Sequence, residues 1–209
     1  MTVCYIVGAF LVAVVVLYGL LELHYFLRTF LSVLLARFCK KKVHILQETV
    51  VKGICLTSDI DTFLYHMNNA RFMRELDFAR ADFYERTGLF RTIKAKGGSI
   101  AICATTIRYR RFLKLFSRYF ITSKLLYWDN KSFYLQYKFI TKGGLINAFV
   151  IQEVKMINCT CESILESISQ RIKQTVKKPE PPEFLVKWIE GNSNLQDDKS
   201  ASITTITTM

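Results

Sequence analysis

The chain lacks the cysteine spacing of a structural metal site or of a disulfide framework. Its six cysteines are Cys4, Cys39, Cys55, Cys103, Cys159 and Cys161. They are scattered among apolar stretches, and the one close pair, Cys159 and Cys161, cannot complete a tetrahedral zinc site. A chain of 209 residues is also too long to need disulfide staples. We therefore expect free, buried thiols, no metal and no cofactor.

Acidic residues are scarce: 17 Asp and Glu stand against 29 Lys and Arg, which gives a net charge of +12. A positive excess of this size favours an anionic partner, such as a membrane surface or a phosphorylated small molecule. Nucleic acid is a third anionic candidate, but the basic residues are dispersed and form no recognisable nucleic-acid-binding module. We expect no nucleic-acid partner.

Charged and strongly polar side chains are absent from Val3 to Leu21, a run of 19 residues. At about 1.5 Å per residue this run is about 28 Å long, close to the thickness of a hydrocarbon core. It predicts a transmembrane helix within an anchor of residues 1–24. A cleaved signal peptide, which would leave a secreted protein, is the alternative. That alternative requires an early basic residue and a small-residue cleavage site, and neither Met1-Thr2 nor Leu20–Leu23 supplies them.

The segment 25–44 carries the basic residues that flank the apolar run: Arg28, Arg37, Lys40, Lys41 and Lys42. Because all of them lie on its C-terminal side, the positive-inside rule places the remainder of the chain in the cytosol. Apolar residues continue at helical spacing from Tyr25 to Phe38, which predicts a helix along the membrane interface. A plain basic flank is the alternative. The sequons at Asn130 and Asn158 would be glycosylated only in the opposite, lumenal topology.

The segment 45–176 has the pattern of one α+β domain. A strand is expected over Gln47–Asp59, followed by a helix that is capped by Asn68 or Asn69 and ends at Gly88. One face of this helix is apolar, at Phe72, Leu76, Ala79 and Phe83. The opposite face is charged; we expect it to be solvated or to flank the sheet, with Arg71 and Glu75 spaced for an ion pair.

Four strands are expected after Gly97-Gly98, because apolar residues then recur at every second position. They cover 100–110, 119–127, 133–139 and 146–150. Turns at Trp128–Lys131 and Lys142–Gly144 predict that the last three strands pair antiparallel.

A final helix is expected over Cys161–Val176. The segment 177–209 would begin as a linker with Pro179, Pro181 and Pro182, and Phe184–Ile189 would dock on the domain or the membrane. The polar stretch Glu190–Met209 is expected to be disordered.

Two aspartates, a histidine and two asparagines stand immediately before the central helix: Asp59, Asp61, His66, Asn68 and Asn69. Carboxylate, imidazole and amide groups at a helix N-terminus can position a nucleophilic water and hold a developing negative charge, and thioester hydrolysis needs both. The structural interpretation is that the aspartates satisfy a turn, the asparagines cap the helix and the histidine is a satisfied structural residue.

This order resembles the signature of hotdog-fold thioesterases of the 4-hydroxybenzoyl-CoA type, in which an Asp-x-Asp pair precedes a histidine-asparagine run that opens the central helix. The resemblance covers about residues 48–172 and is specific over 59–80. It is closest to a membrane-associated branch of that group. It implies an α+β hotdog fold, an antiparallel sheet wrapped around a long central helix, here with an N-terminal transmembrane helix.

The resemblance also implies roles for the motif. Asp61, the second aspartate of the pair, would be the general base or nucleophile. His66 would orient the acyl carbonyl or the water, and Asn68 or Asn69 would donate to the carbonyl. The substrate would be a long-chain acyl-CoA or a related acyl thioester, and the protein a homodimer with active sites at the subunit boundary. The location would be a membrane, which we expect to be the endoplasmic reticulum.

A basic cluster of Arg108, Arg110, Arg111 and Lys114 is expected near a strand end. Contact with the phosphates of CoA and attraction to anionic lipid headgroups are both consistent with it.

The loop after the aspartates departs from the family pattern. Plant acyl-carrier-protein thioesterases place an asparagine where Phe63 stands, and the glycines of bacterial relatives are replaced by Thr62-Phe63-Leu64. A bulky, apolar loop fits a long acyl chain better than a small aromatic acid. It also fits the alternative function, a non-catalytic protein that binds acyl-CoA or lipid, or acts as a scaffold, in membrane lipid homeostasis.

Overall fold

The fold is built on a five-stranded antiparallel sheet in the order β1-β3-β4-β5-β2. The structure, a computed structural model, describes residues 2–21 and 23–193. Its strands are β1 (Thr49–Ile54), β2 (Ser99–Tyr109), β3 (Arg118–Trp128), β4 (Ser132–Thr141) and β5 (Leu145–Ile157). The predicted antiparallel pairing of the last three strands is confirmed.

The helices are α1 (Thr2–Leu21), α2 (Leu23–Leu34), α3 (Asn69–Thr87), α4 (Leu89–Ala95), α5 (Cys161–Ile172) and α6 (residues 183–193). A π-helical turn, Leu35–Cys39, extends α2. The central helix α3 packs on the sheet, which confirms the α+β hotdog arrangement. It ends where Gly88 adopts a φ of 74°, a conformation that glycine reaches without strain.

The core lies between α3 and the sheet. The predicted apolar stripe of α3 is confirmed, because Phe72, Leu76, Ala79 and Phe83 are all buried. They pack among buried side chains of the sheet, chiefly Tyr119, Ile121, Leu135, Tyr137, Phe139, Ala148 and Val150. The position of α3, and with it the position of its N-terminus, is therefore set by this apolar contact.

The opposite face of α3 does not have the solvated environment that was one of the two expected for it. Glu75, Asp82 and Glu85 are 1%, 1% and 3% exposed. Burying a carboxylate is costly unless a cation and hydrogen bonds compensate for the lost water. The partners come from α2 and the segment that follows it.

Each of these buried acids is paired with a base from residues 28–42. Arg28 donates two hydrogen bonds to Glu75, Nη1 to Oε1 at 2.5 Å and Nη2 to Oε2 at 2.6 Å. Lys40 Nζ lies 2.5 Å from Asp82 Oδ1. Glu85 has three basic partners. Its Oε1 lies 3.1 Å from Arg37 Nε and 3.4 Å from Lys42 Nζ, and Arg91 also makes a short contact with it. The segment predicted as a membrane-side flank is thus part of the domain.

The electrostatic surroundings of Glu85 favour its charged form. Burial alone would raise its pKa, but hydrogen bonds from Arg37 and Arg91 and their positive charges lower the pKa below the ordinary 4.5. The carboxylate is therefore ionised at neutral pH and holds its basic partners in place.

A second partner of Glu75 connects α3 to the sheet. The Tyr119 hydroxyl donates to Glu75 Oε2 at 2.6 Å, and burial together with the Glu75 charge raises the pKa of Tyr119. The Tyr119 ring crosses over Gly53 on the neighbouring strand, where a Cβ would overlap it. One carboxylate therefore joins α2, α3 and β3.

Four local predictions need correction. Strand β1 is shorter than Gln47–Asp59, because Asp59 lies in a 3-10 turn, Thr57–Asp59. Arg71 does not pair with Glu75 but with Asp59. Helix α5 stops before Val176, because Lys173 adopts a φ of 54°. Residues 190–193 of the stretch expected to be disordered are helical, and 194–209 lie outside the described residues.

Helix α6 docks on the outer face of the sheet. Leu185 is buried against Tyr134 and Ile151, and Trp188 Nε1 donates to Thr106 Oγ1 at 2.8 Å. Phe184–Ile189 was expected to dock on the domain or on the membrane, and in the structure it docks on the domain.

Helix α1 is apolar and exposed from Thr2 to Gly19. Among the described residues it is the one helix long and apolar enough to cross a membrane, a test that a signal sequence also passes. Its C-terminal part reaches the domain, because Tyr18 lines a cavity of about 380 Å³ together with Leu56, Ser58 and Arg71.

The pairing between α2 and α3 predicts that adjacent lysines differ in importance. Lys40 neutralises the buried Asp82, whereas Lys41 is exposed. In the full chain in detergent, Lys40→Gln should lower the Tm by about 5 °C, because the buried Asp82 would keep only the longer 3.5 Å contact from Arg86 as its ion pair. The matched control Lys41→Gln should change it by about 1 °C or less. Equal Tm values for the two variants would contradict this interpretation.

A second prediction concerns where a soluble fragment can begin. Residues 23–193 retain α2, whereas residues 43–193 lose the bases that compensate Glu75 and Asp82. The shorter fragment should unfold at least about 10 °C lower by circular dichroism, or fail to fold. If both fragments unfold at the same temperature, α2 is not part of the folded domain.

Candidate active site

The two aspartates of the motif have different environments. Asp59 is 2% exposed. Its Oδ2 accepts from the Leu56 backbone N–H at 2.9 Å, and its Oδ1 accepts from Arg71 Nε at 3.0 Å. With every oxygen engaged, Asp59 fixes the 3-10 turn to α3. Asp59 therefore agrees with the structural interpretation of the motif, in which the aspartates satisfy a turn.

Asp61 remains partly accessible, with 16% of its side chain exposed. Its Oδ1 accepts from the Tyr65 backbone N–H at 3.3 Å, and its Oδ2 lies 3.7 Å from His66 Nε2. The loop between them is tight, because Leu64 adopts a φ of 56° and donates its N–H to the Asp61 carbonyl at 3.1 Å. The loop turns one carboxylate oxygen towards the imidazole.

The His66 ring is held on two sides. Its Nδ1 lies 3.0 Å from the Met67 carbonyl, and its face stacks on Phe112 with the ring centroids 4.3 Å apart. A carbonyl only accepts hydrogen bonds, so Nδ1 carries a proton and Nε2 is the nitrogen that faces Asp61.

Backbone contacts join the motif loop to the segment after β2. The Met67 N–H donates to the Leu113 carbonyl at 2.8 Å, and His66 and Lys114 form an isolated bridge. The Asn68 N–H donates to the Asp59 carbonyl at 2.8 Å. These bonds place the imidazole next to the end of β2.

The two asparagines open α3. Asn68 is the N-cap, since its Oδ1 accepts from the Ala70 N–H at 2.9 Å, and Asn69 is the first helical residue. Both are exposed. The Tyr109 hydroxyl donates to the Asn69 carbonyl at 3.0 Å. Asn68 already satisfies the N–H groups of Ala70 and Arg71, through its Oδ1 and its carbonyl, and the helix dipole favours negative charge beside this first turn.

A cavity of about 440 Å³ opens beside this helix terminus. It is lined by His66, Met67, Asn69, Phe72, Tyr109, Arg110, Arg111, Phe112 and Leu113. Its apolar side contains the buried Met67, Phe72 and Leu113. Among the described residues its lining does not include Asp61, which meets the cavity through His66. The predicted residues His66 and Asn69 are thus brought together, and Asn68 serves as the cap.

The basic cluster expected near a strand end is divided. Arg110 and Arg111 line the first cavity. Lys114 lines a second one of about 600 Å³, which adjoins the first at Arg111 and Phe112 and also contains Arg118 and Lys142. Arg108 is exposed on β2 and lines neither cavity.

Several residues of the site were not indicated by the sequence. Tyr109 and Phe112 carry no motif, and Arg118 and Lys142 lie on other strands or turns. Their proximity results from the folding of β2, β3, β4 and β5 into one sheet. The one indication in the sequence is that the aromatic residues Tyr109 and Phe112 stand next to basic residues.

The cysteines and acids of the described residues form no metal site. No group of three His, Cys, Asp or Glu side chains within residues 2–21 and 23–193 has suitable geometry. Cys55 and Cys161 are buried, and burial raises their thiol pKa to about 11 and about 12. The expectation of buried thiols fails for Cys4, Cys39 and Cys103, which are exposed.

The chain is similar in sequence to proteins of a known superfamily. The thioesterase-like superfamily matches residues 55–189. The Protein THEM6 of Drosophila melanogaster is 35% identical over 196 residues, which cover 91% of this chain and 100% of the relative.

Solved structures share the fold. The YbaW probable thioesterase from Escherichia coli has a TM-score of 0.51 at 25% identity, covering 62% of this chain and 98% of that one. A hypothetical protein from Staphylococcus aureus, solved in complex with CoA, has a TM-score of 0.52 at 17% identity, covering 69% and 96%. The match over most of the domain and the extent of identity with Protein THEM6 show that the chain belongs to the thioesterase-like superfamily.

Proposed function

We propose that the chain is a membrane-anchored acyl-CoA thioesterase that hydrolyses long-chain acyl thioesters with Asp61 as the general base. The observation that carries this proposal is the Asp61–His66 pair, held at the N-terminus of α3 beside a largely apolar cavity. Membership of the thioesterase-like superfamily supports a thioester hydrolase.

The proposed reaction begins with a water between Asp61 and the acyl carbonyl. Asp61 accepts a proton as the water oxygen bonds to the carbonyl carbon, and His66 orients the water or the carbonyl. Negative charge then develops on the carbonyl oxygen. The positive end of the α3 dipole, at Asn69 beside the cavity, would stabilise it. Collapse of the intermediate breaks the carbon–sulfur bond, the proton held by Asp61 passes to the departing thiolate, and CoA and the fatty acid are released.

Direct attack by the Asp61 carboxylate is the related alternative, in which an anhydride forms and water then hydrolyses it. Both routes need the same carboxylate and the same helix terminus. They differ in whether oxygen from the water first enters the fatty acid or Asp61.

The acyl and CoA portions would occupy the two adjoining cavities. The apolar side formed by Met67, Phe72 and Leu113 suits a hydrocarbon chain. Arg110, Arg111 and Lys114 are placed to meet phosphates, with Arg118 and Lys142 added by the fold. The CoA complex of the Staphylococcus aureus relative supports CoA as the head group. Arg108 lies outside both cavities.

A homodimer would complete the site. Strand β2 is an edge of the sheet, with Ile102 and Tyr109 exposed on it. An unpaired edge is a ready surface for a second strand. Since Tyr109 also lines the cavity, a second copy paired at β2 would lie beside the reacting groups.

The proposed location is the cytosolic side of the endoplasmic reticulum membrane. Helix α1 has the length and hydropathy of a span, and the adjacent bases lie on its C-terminal side. Membrane lipid is then both the surroundings and a source of apolar substrates. A cleaved signal sequence remains the competing interpretation of α1.

A non-catalytic acyl-CoA or lipid-binding protein is the second candidate function. It is favoured by the Asp61–His66 distance of 3.7 Å, longer than a hydrogen bond, and by the position of Asp61 behind His66. It would use the same cavity without turnover.

Substitution of the two aspartates separates these functions. In the full chain, Asp61→Asn should lower kcat/KM for palmitoyl-CoA by about 10²-fold or more, because the general base is lost, with the Tm almost unchanged. The matched Asp59→Asn should mainly lower the Tm, because it weakens the contact with Arg71. Thiol release and thermal unfolding measure the two effects. Equal slow hydrolysis by wild type and Asp61→Asn, with palmitoyl-CoA still bound, would support the binding protein.

The two sequons test the proposed topology. Asn130 and Asn158 are both exposed, so either would be accessible to glycosylation in the lumen. With a cytosolic domain, the full chain expressed in cells should show no mobility shift on glycosidase treatment. A sequon added in an N-terminal extension should be modified and serves as the control. A glycan on Asn130 or Asn158 would place the domain in the lumen or outside the cell.

A further inference from the structure

Helix α2 has an apolar face that its contact with α3 leaves uncovered. Six large side chains on this outer face are between 41% and 76% exposed: Phe26, Leu27, Phe30, Leu31, Leu35 and Phe38. With 100° between successive residues, they occupy one side of α2 and its π-helical extension. A continuous apolar strip of this kind is unusual on a monomer surface and indicates a partner.

The orientation of this outer face is fixed by the polar side of the same segment. Arg28 binds Glu75, Arg37 binds Glu85, and the Tyr25 hydroxyl donates to Asp77 Oδ2 at 2.7 Å. Because two of these acceptors are buried carboxylates, α2 cannot rotate its apolar face inward without leaving them uncompensated. In an ordinary interfacial helix the polar side faces water, whereas here it faces the domain.

The position of α2 identifies a partner of lipid character. One residue separates the end of α1 at Leu21 from the start of α2 at Leu23. The proposed span therefore delivers the start of α2 to the level of the lipid headgroups. A face of phenylalanine and leucine side chains at that level can enter the boundary between headgroups and acyl chains, and the exposed Lys41 follows it.

We propose that the outer face of α2 is a membrane-contact surface that holds the domain flat against the bilayer crossed by α1. This inference rests on the proposed membrane anchoring. Acidic side chains of α3 bind the basic side chains on the polar side of α2, and lipid covers the apolar side of α2. The domain thus contacts the bilayer at two points, the membrane-spanning helix α1 and the outer face of α2, and is not connected to it through a flexible linker alone.

Photocrosslinking in the full chain tests this contact. Benzoylphenylalanine would replace Phe30 or Phe38 in protein reconstituted into vesicles of phosphatidylcholine and phosphatidylserine. Phe184, which is exposed on α6, is the matched negative position, and Phe10 within α1 is the positive one. Mass spectrometry should detect phospholipid adducts at Phe30 and Phe38 within about twofold of Phe10, and at least about fivefold fewer at Phe184.

The outcomes separate the contact from the anchor. Lipid adducts at Phe10 but none at Phe30 or Phe38 would overturn the α2 contact and retain the span. A lack of adducts at all positions would overturn both. Chain-to-chain adducts at Phe30 in place of lipid would show that the face is an interface between copies, which also overturns the proposal.

Discussion

The buried Glu75 carboxylate is the interaction on which the arrangement of the molecule depends. It receives two hydrogen bonds from Arg28 of α2 and one from Tyr119 of β3, so three elements meet at one charge. The apolar stripe of α3 sets its distance from the sheet, and Glu75 with Asp82 and Glu85 determines what covers its other side. Hydrophobic contact supplies most of the driving force for such packing, whereas the ion pairs specify which segment is accepted.

The same helix carries the candidate site at its N-terminus. Asp59 ties the preceding turn to Arg71, Asn68 caps the first turn, and Asp61 with His66 stands beside the cavity. Tyr18 of α1 and the turn that contains Asp59 border one common cavity. The turn that precedes the motif loop is consequently close to the C-terminal part of α1.

Much of the fold was predictable because its signals are local. The stripe from Phe72 to Phe83, the Asn68 cap and the two late hairpins depend on residues close together in the chain. The buried acids were missed, because Arg28 and Glu75 are 47 residues apart and a charged helical face is usually solvated. Arg71 had two acids within reach, Glu75 by helical spacing and Asp59 by the turn, and the turn is set by tertiary contacts. The cavity residues Tyr109 and Phe112 gather through sheet pairing, which leaves no motif in the sequence.

The ion pairs also make α2 a segment of fixed length. Arg28, Arg37 and Lys40 meet their partners on α3 only in one helical register. Removing a single residue near position 32 would turn everything after it by about 100°, so that the bases would miss their acids and apolar side chains would take their places. A segment predicted as a membrane-side flank should therefore resist insertions and deletions as strictly as a strand in the core.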